Sequence, residues 1–343
     1  MWLNSFRNEI ETKVLRFLWR QWAELGVSAS GVNLEFERDH WTIDPEALLL
    51  FSSVLARHDA RLFDEIMDWL GANAAFMNIP RLKSVARSSA LGDDRVIAAM
   101  ADVVGQHHSR LNWRFTVSNI PGERSPLFFA AGGEPMPSYG KPDETFLRFG
   151  FTRGRVELRG RSGLFNQNMP ECALLRLRAL FGVSARAEII LYLLTHETGY
   201  PTGIARETGF SQKNIHDTMV DLSSSGFIFA KQVEGRKRSY FMRKNPPPPF
   251  LHAPDQPPEW VTWPPLFKAL QSLLAQLRAT EEKQMSENLL ASELRRITDE
   301  IRPFVEKAGF VDILHDARGS SSKDYMTTFK QNMARLMKSI RSE

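Results

Sequence analysis

A single cysteine, Cys172, stands among 343 residues. One thiol excludes an intrachain disulfide framework and a cysteine-rich zinc site, and its plainest role is that of a buried structural thiol. Long apolar runs are missing as well, since nothing approaches the roughly 18 consecutive apolar residues of a membrane span. The opening MWLNSFRNEIETKVLRFLWR mixes charge throughout and lacks the uninterrupted apolar core of a secretory signal. A cytosolic protein without a membrane partner is therefore expected. Neither sign of charge dominates: 44 Lys and Arg against 40 Asp and Glu leave a formal net charge of +4. Such an excess permits binding to an anionic polymer without demanding it. Nucleotide motifs are absent, with no P-loop and no G-x-G-x-x-G, and the stretch around Arg161-Ser162-Gly163 lacks the G-x-S-x-G elbow of a hydrolase. No internal repeat is present, and no enzyme chemistry or cofactor is expected.

Ala185 to Arg243 is the most informative stretch. Ile189, Ile190, Leu193 and Leu194 follow the spacing of one helix face. After a Gly-Tyr-Pro break, Thr202 to Thr208 forms a short segment with Ile204 and Ala205 inward, and Gly209 stops it. Ser211 is placed to cap a further helix, because its hydroxyl can accept from a backbone N–H two or three residues on. Ile215, Met219 and Leu222 face inward on that helix, which ends at Ser225-Gly226. Two extended runs, Phe227–Val233 and Arg236–Met242, flank Glu234-Gly235, a turn suited to a hairpin. The spacing IAxxTGFSxxxIxxxMxxLxxSGFI resembles the winged helix-turn-helix of bacterial transcriptional regulators of the MarR/ArsR type, over roughly residues 176 to 244. That resemblance implies binding to double-stranded DNA as a homodimer, most simply as a repressor.

The rest of the chain predicts a mainly α protein with small β-hairpins, in which helical regions flank this central module. Residues 1–117 form a helical N-terminal domain with Asp44-Pro45 and Asp59 as helix starts, and Gly71 closes the helix that follows Asp59. A strand at Leu111–Val117 leaves open a degenerate winged helix there, against a plain helical domain that packs on the other parts. Residues 118–144 read as an irregular linker. Residues 145–170 form a basic β-hairpin-like segment whose Arg148, Arg153, Arg155, Arg159 and Arg161 contact phosphate or merely line a solvated strand face. The winged helix-turn-helix domain spans 171–245. A Pro-rich extended segment covers 246–265, and its Phe250, Trp260 and Trp263 suit an apolar surface. Residues 266–343 are helical; Leu266, Leu270, Leu273 and Leu277 suit either a helix-pairing seam or packing on the N-terminal helices. From Lys323 onwards a mobile, basic amphipathic helix is expected.

In a helix-turn-helix the third helix enters the major groove. The residues after the Ser211 cap are Gln212, Lys213, Asn214, His216 and Asp217. Gln and Asn can bond adenine in a bidentate way, while Lys donates to guanine or phosphate. At the hairpin, Arg236, Lys237 and Arg238 leave the turn where a wing meets the DNA backbone or minor groove, with Lys231 and Tyr240 supporting them from the strands. The DNA-contacting set is thus Ser211, Gln212, Lys213, Asn214, His216, Lys231, Arg236, Lys237, Arg238 and Tyr240. His216-Asp217 has too few neighbouring His and Asp for a metal site. A protein-interaction role for the same module, antitoxin-like or scaffolding, is the alternative, and a small-molecule effector is compatible with either.

Overall fold

The computed structural model describes residues 2–30, 40–108, 113, 115, 117, 122–130, 132–233, 238–244, 258–281, 285–316 and 321–340. Short polar side chains fix where the first helices begin. After α1 (Trp2–Glu24), Asp44 caps α2 (Pro45–Leu55) by accepting from Ala47 N at 3.0 Å. Asp59 does the same for α3 (Ala60–Asn73), Asn78 for α4 (Ile79–Ser89) and Asp93 for α5 (Asp94–His107). Each cap satisfies an N–H that the first helical turn leaves without a partner. Every residue of α2 except Val54 is buried, so this short helix is the axis of the helical body.

Gly71 does not end α3, which runs on to Asn73. Its missing side chain instead admits Leu158, whose Cδ1 would lie 3.3 Å from an added Cβ. The expected strand at 111–117 falls largely outside the described residues. Beyond α5, β1 (Ser125–Pro126), α6 (Glu144–Arg148) and β2 (Phe151–Thr152) follow, and β1 and β2 pair in parallel.

Residues 145–170 are therefore not a hairpin. Asp143 caps α6 by accepting from Phe146 N, and further on the carboxylate of Asp68 accepts the amides of Arg159, Gly160, Arg161 and Ser162 at 2.5–2.8 Å. Those amides are spent on a side chain and cannot form a strand ladder. Nor is the arginine run a uniform surface. Arg153 is buried, donates to Asp64 at 2.8 Å and lies 5.2–5.6 Å from the centres of the Phe63, Phe128 and Phe146 rings.

The central module holds α7 (Ala173–Phe181), α8 (Ala185–Thr195), α9 (Pro201–Thr208), α10 (Gln212–Ser224), β3 (Phe229–Gln232) and β4 (Arg238–Phe241). After it come α11 (Trp263–Glu281), α12 (Glu287–Lys307) and α13 (Ser322–Ser339). The described chain is mainly helical, with two sheets of two strands each. The leucine spacing of α11 packs it back on the N-terminal helices: Phe267 stacks on Phe51 at 4.8 Å, and Trp263 meets Phe17 at 6.1 Å. The basic tail is docked rather than mobile, since Phe329, Met333, Leu336 and Met337 of α13 are buried against α12 and α1. Cys172 is a buried thiol, and burial pushes its pKa up to about 12.

Two hydrophobic cores result. One joins α1–α5 to α11–α13, and the other lies within residues 173–242. Trp260 and Trp263, close in sequence, serve different cores. Trp260 packs edge-on to Tyr192 at 5.5 Å, whereas Trp263 lies in the helical body. Phe250 lies outside the described residues. Among the described residues no helix is long and apolar enough to cross a membrane.

Candidate nucleic-acid interface

The second core joins three helices, α8, α9 and α10, to the hairpin of β3 and β4. Ile204 and Ala205 of α9 and Ile215, Met219 and Leu222 of α10 pack on Ile189, Ile190 and Leu193 of α8. Gly209, at φ +77°, makes the turn in a conformation that suits glycine. Ser211 Oγ then accepts from Asn214 N at 3.2 Å and starts α10. Gly199, whose sequence context showed only a chain break, exchanges two backbone hydrogen bonds with Tyr240, at 2.8 and 2.9 Å. It acts as a third, one-residue strand that fixes the hairpin to the start of α9. A Cβ there would sit 2.8 Å from Ile204 Cδ1, so only glycine fits without displacement.

On α10, Gln212, Lys213, Asn214, His216 and Asp217 are all exposed, but they do not share one surface. Gln212, His216 and Val220, spaced by four, line a groove of about 930 Å³ against Gln232, Val233 and Arg238 of the hairpin. Lys213 and Asp217 occupy the outer crest of the helix. Asn214 sits on the opposite flank, where its Oδ1 accepts from Thr218 and it lines a depression with Asn78 and Pro80 of the helical body. Lys231 and Arg238 are exposed on β3 and β4. Tyr240 differs from expectation. It is 4% exposed, belongs to the core and reaches the groove only as part of its wall. Arg236, Lys237 and the Glu234-Gly235 turn lie outside the described residues.

The groove is not purely polar. Tyr200, Val220 and Val233 along it are 41%, 41% and 50% exposed. Asp217 and Asp221 add negative charge to the outer face of α10, and Asp221 has Arg186 at 3.7 Å.

Sequence reasoning missed what holds this module on the body. Five charged side chains, Asp44, Glu46, Arg81, Arg178 and Glu188, are buried together where the two cores meet. Arg178 donates to Glu46 at 2.6 and 2.8 Å, to Glu188 at 2.5 and 3.2 Å, and to the Phe76 carbonyl at 2.8 Å. Arg81 donates to Asp44 at 2.5 and 2.7 Å, to Glu46 at 2.7 Å and to the Thr208 carbonyl at 2.5 Å. Ser84 donates to the Gly209 carbonyl at 3.1 Å, so the turn between α9 and α10 is itself bound to α4. Burial works to raise the pKa of Asp44, but the Arg81 guanidinium beside it holds the carboxyl below its ordinary value. For Glu188 burial wins over Arg178 and Arg81, and its pKa is raised. Burial lowers the pKa of Arg178, but Glu46 and Glu188 outweigh it and hold the guanidinium above its ordinary range. The available signal was the presence of charges at apolar-face positions, as in ALLRLRALF and ARAEIILYLL.

Among the described residues no three or more His, Cys, Asp or Glu side chains converge as a metal site. Comparison of the chain with protein-family models, with curated proteins and with solved structures gives no match.

Proposed function

We propose that this chain is a sequence-specific double-stranded DNA-binding transcriptional regulator that acts as a homodimeric repressor. The carrying observation is the pairing of an exposed polar helix, α10, with a basic hairpin across an open groove. A recognition helix reads base edges through residues near its N-terminus, while a hairpin holds phosphate. In this reading Gln212, Lys213 and His216 are the base readers. Asn214, turned toward the body, contacts the DNA backbone at most. Lys231 and Arg238 supply charge from the hairpin, and Val220 suits a thymine methyl. Ser211 and the amides at the start of α10 receive a phosphate. The buried ionic network fixes the angle at which α10 leaves the body, so a dimer would present two such helices at a set spacing.

Lys231→Gln with Arg238→Gln should weaken binding to every duplex and lower the salt slope by about one for each phosphate no longer neutralised. Gln212→Ala should change preference among duplexes while leaving that slope alone. If the two variants act alike, the division of roles is wrong.

A protein partner is the second reading, favoured by the exposed Tyr200, Val220 and Val233 along the groove. Aromatic and apolar residues concentrate at the centre of protein interfaces. Co-purification of a stoichiometric partner that Val220→Asp abolishes would support it over the first.

A further inference from the structure

A separate cavity of about 490 Å³ opens where the helix-turn-helix meets the helical body. It lies away from the groove beside α10 and has no part in the proposed DNA contact. Three cations on three different helices line it: Arg206 of α9, Lys268 of α11 and Lys307 at the end of α12. Glu207 is the one acidic side chain in the same lining and accepts from Arg206 at 3.4 Å, so the net charge of about +2 rests on Lys268 and Lys307. Lys268 Nζ donates to the Ala90 carbonyl at 2.8 Å, which uses one of the three N–H groups an ammonium has. Ser88 and Ser89 on the last turn of α4 add hydroxyls. The wall opposite them is apolar, made by Pro264, Pro265 and Phe304.

We infer that this cavity binds a small organic anion, with a phosphate, sulfonate or carboxylate head on an apolar body. The volume falls within the roughly 300–1,000 Å³ of small-molecule sites, and such sites combine apolar walls with a few converging polar groups. Lys268 and Lys307, on separate helices, supply the charge for an anionic head, and Phe304 with the two prolines covers the rest of the molecule. An occupant touches the Gly209 turn and α12 together, so it bridges the two cores.

The test uses 8-anilinonaphthalene-1-sulfonate, an aromatic sulfonate, titrated into the full chain and followed by fluorescence and calorimetry. Saturable binding of one equivalent is expected. Lys268→Gln with Lys307→Gln should weaken it at least about tenfold, since a hydrogen bond to a charged group is worth a factor of ten or more. Lys307→Gln alone, an exposed change at a helix end, should weaken it severalfold without affecting the fold. Lys330→Gln, in a different cavity between α1 and α13, should leave binding unchanged. Equal affinity in the wild type and the double variant, or an equal loss in Lys330→Gln, would overturn the assignment. DNA plays no part in the assay, so its outcome is separate from that of the DNA reading.

Discussion

Replacing Arg178 by Met removes one partner from a buried network and leaves the volume nearly unchanged. Five hydrogen bonds disappear, two of them a bidentate pair to Glu46. Three carboxylates, Asp44, Glu46 and Glu188, would then share Arg81 alone. Breaking a buried pair by removing one partner costs about 3–5 kcal/mol, because the charge left behind is uncompensated. Arg178→Met should lower the unfolding free energy of the full chain by that amount in urea melts at pH 7.5. Acid should relieve part of the loss, since the stranded carboxylates can take up protons.

Glu188→Gln is the informative contrast, because it balances two carboxylates against two guanidiniums and keeps an acceptor for Arg178. The wild-type carboxyl of Glu188 has a raised pKa. Its contribution to stability is complete below the unfolded value, near 4.5, and is lost as pH rises through the folded value. The glutamine lacks that decline, so its cost at pH 7.5 should stay within about 1 kcal/mol of the wild type. If Arg178→Met costs less than about 1 kcal/mol, or Glu188→Gln costs as much as Arg178→Met, the ionic account of the seam is wrong.

Three further outcomes follow from other parts of the fold. Gly199→Ala forces a Cβ to within 2.8 Å of Ile204 and 3.0 Å of Tyr192. It should cost about 1–3 kcal/mol and speed amide exchange at Tyr240, read by thermal melts and hydrogen exchange. Asp68→Ala orphans the four amides of residues 159–162 and should cost roughly 2–4 kcal/mol. Asp68→Asn should not rescue it, because its NH2 group would face donors; urea melts of both variants check this. Arg278 Nη2 donates to His58 Nε2 at 3.1 Å, which fixes a neutral ring. Burial and Arg278 depress the pKa of His58 to about 4, despite Glu11 at 3.4 Å. The unfolded chain binds that proton more readily, so stability should fall by up to about 3 kcal/mol as pH drops from 6.5 to 4. Glu11, whose pKa burial raises, titrates in the opposite sense. The difference between wild type and His58→Gln across that range isolates the histidine, and equal slopes would exclude it.

Features set by neighbours in sequence were legible. Asp44, Asp59 and Ser211 cap helices because a cap needs only the next three residues. The order of three helices and a hairpin followed from periodicity and from Gly209. What stayed hidden depends on contacts distant in sequence. Gly199 resembles any loop glycine until Tyr240 pairs with it, and Gly71 looks like a helix stop until Leu158 lies over it. Arg153 stood in a basic run, yet Asp64 and three phenylalanine rings draw it inside while its neighbours stay out. At the candidate interface, exposure was predictable for Gln212 through Asp217. The division of that face was not, because it depends on where α4 and the hairpin flank α10. The ionic seam draws on four places in the chain, with Asp44 and Glu46 together at the start of α2, and which charge meets which cannot be read from any one of them.

The most direct test of the regulator reading is fluorescence anisotropy of the full chain with duplex DNA from upstream of its own gene and with a scrambled duplex, across a salt series. Tight binding to the native fragment is expected, with weak and steeply salt-dependent binding to the scrambled one, and Gln212→Ala should narrow the difference. Absence of binding to either duplex at low salt would contradict the reading.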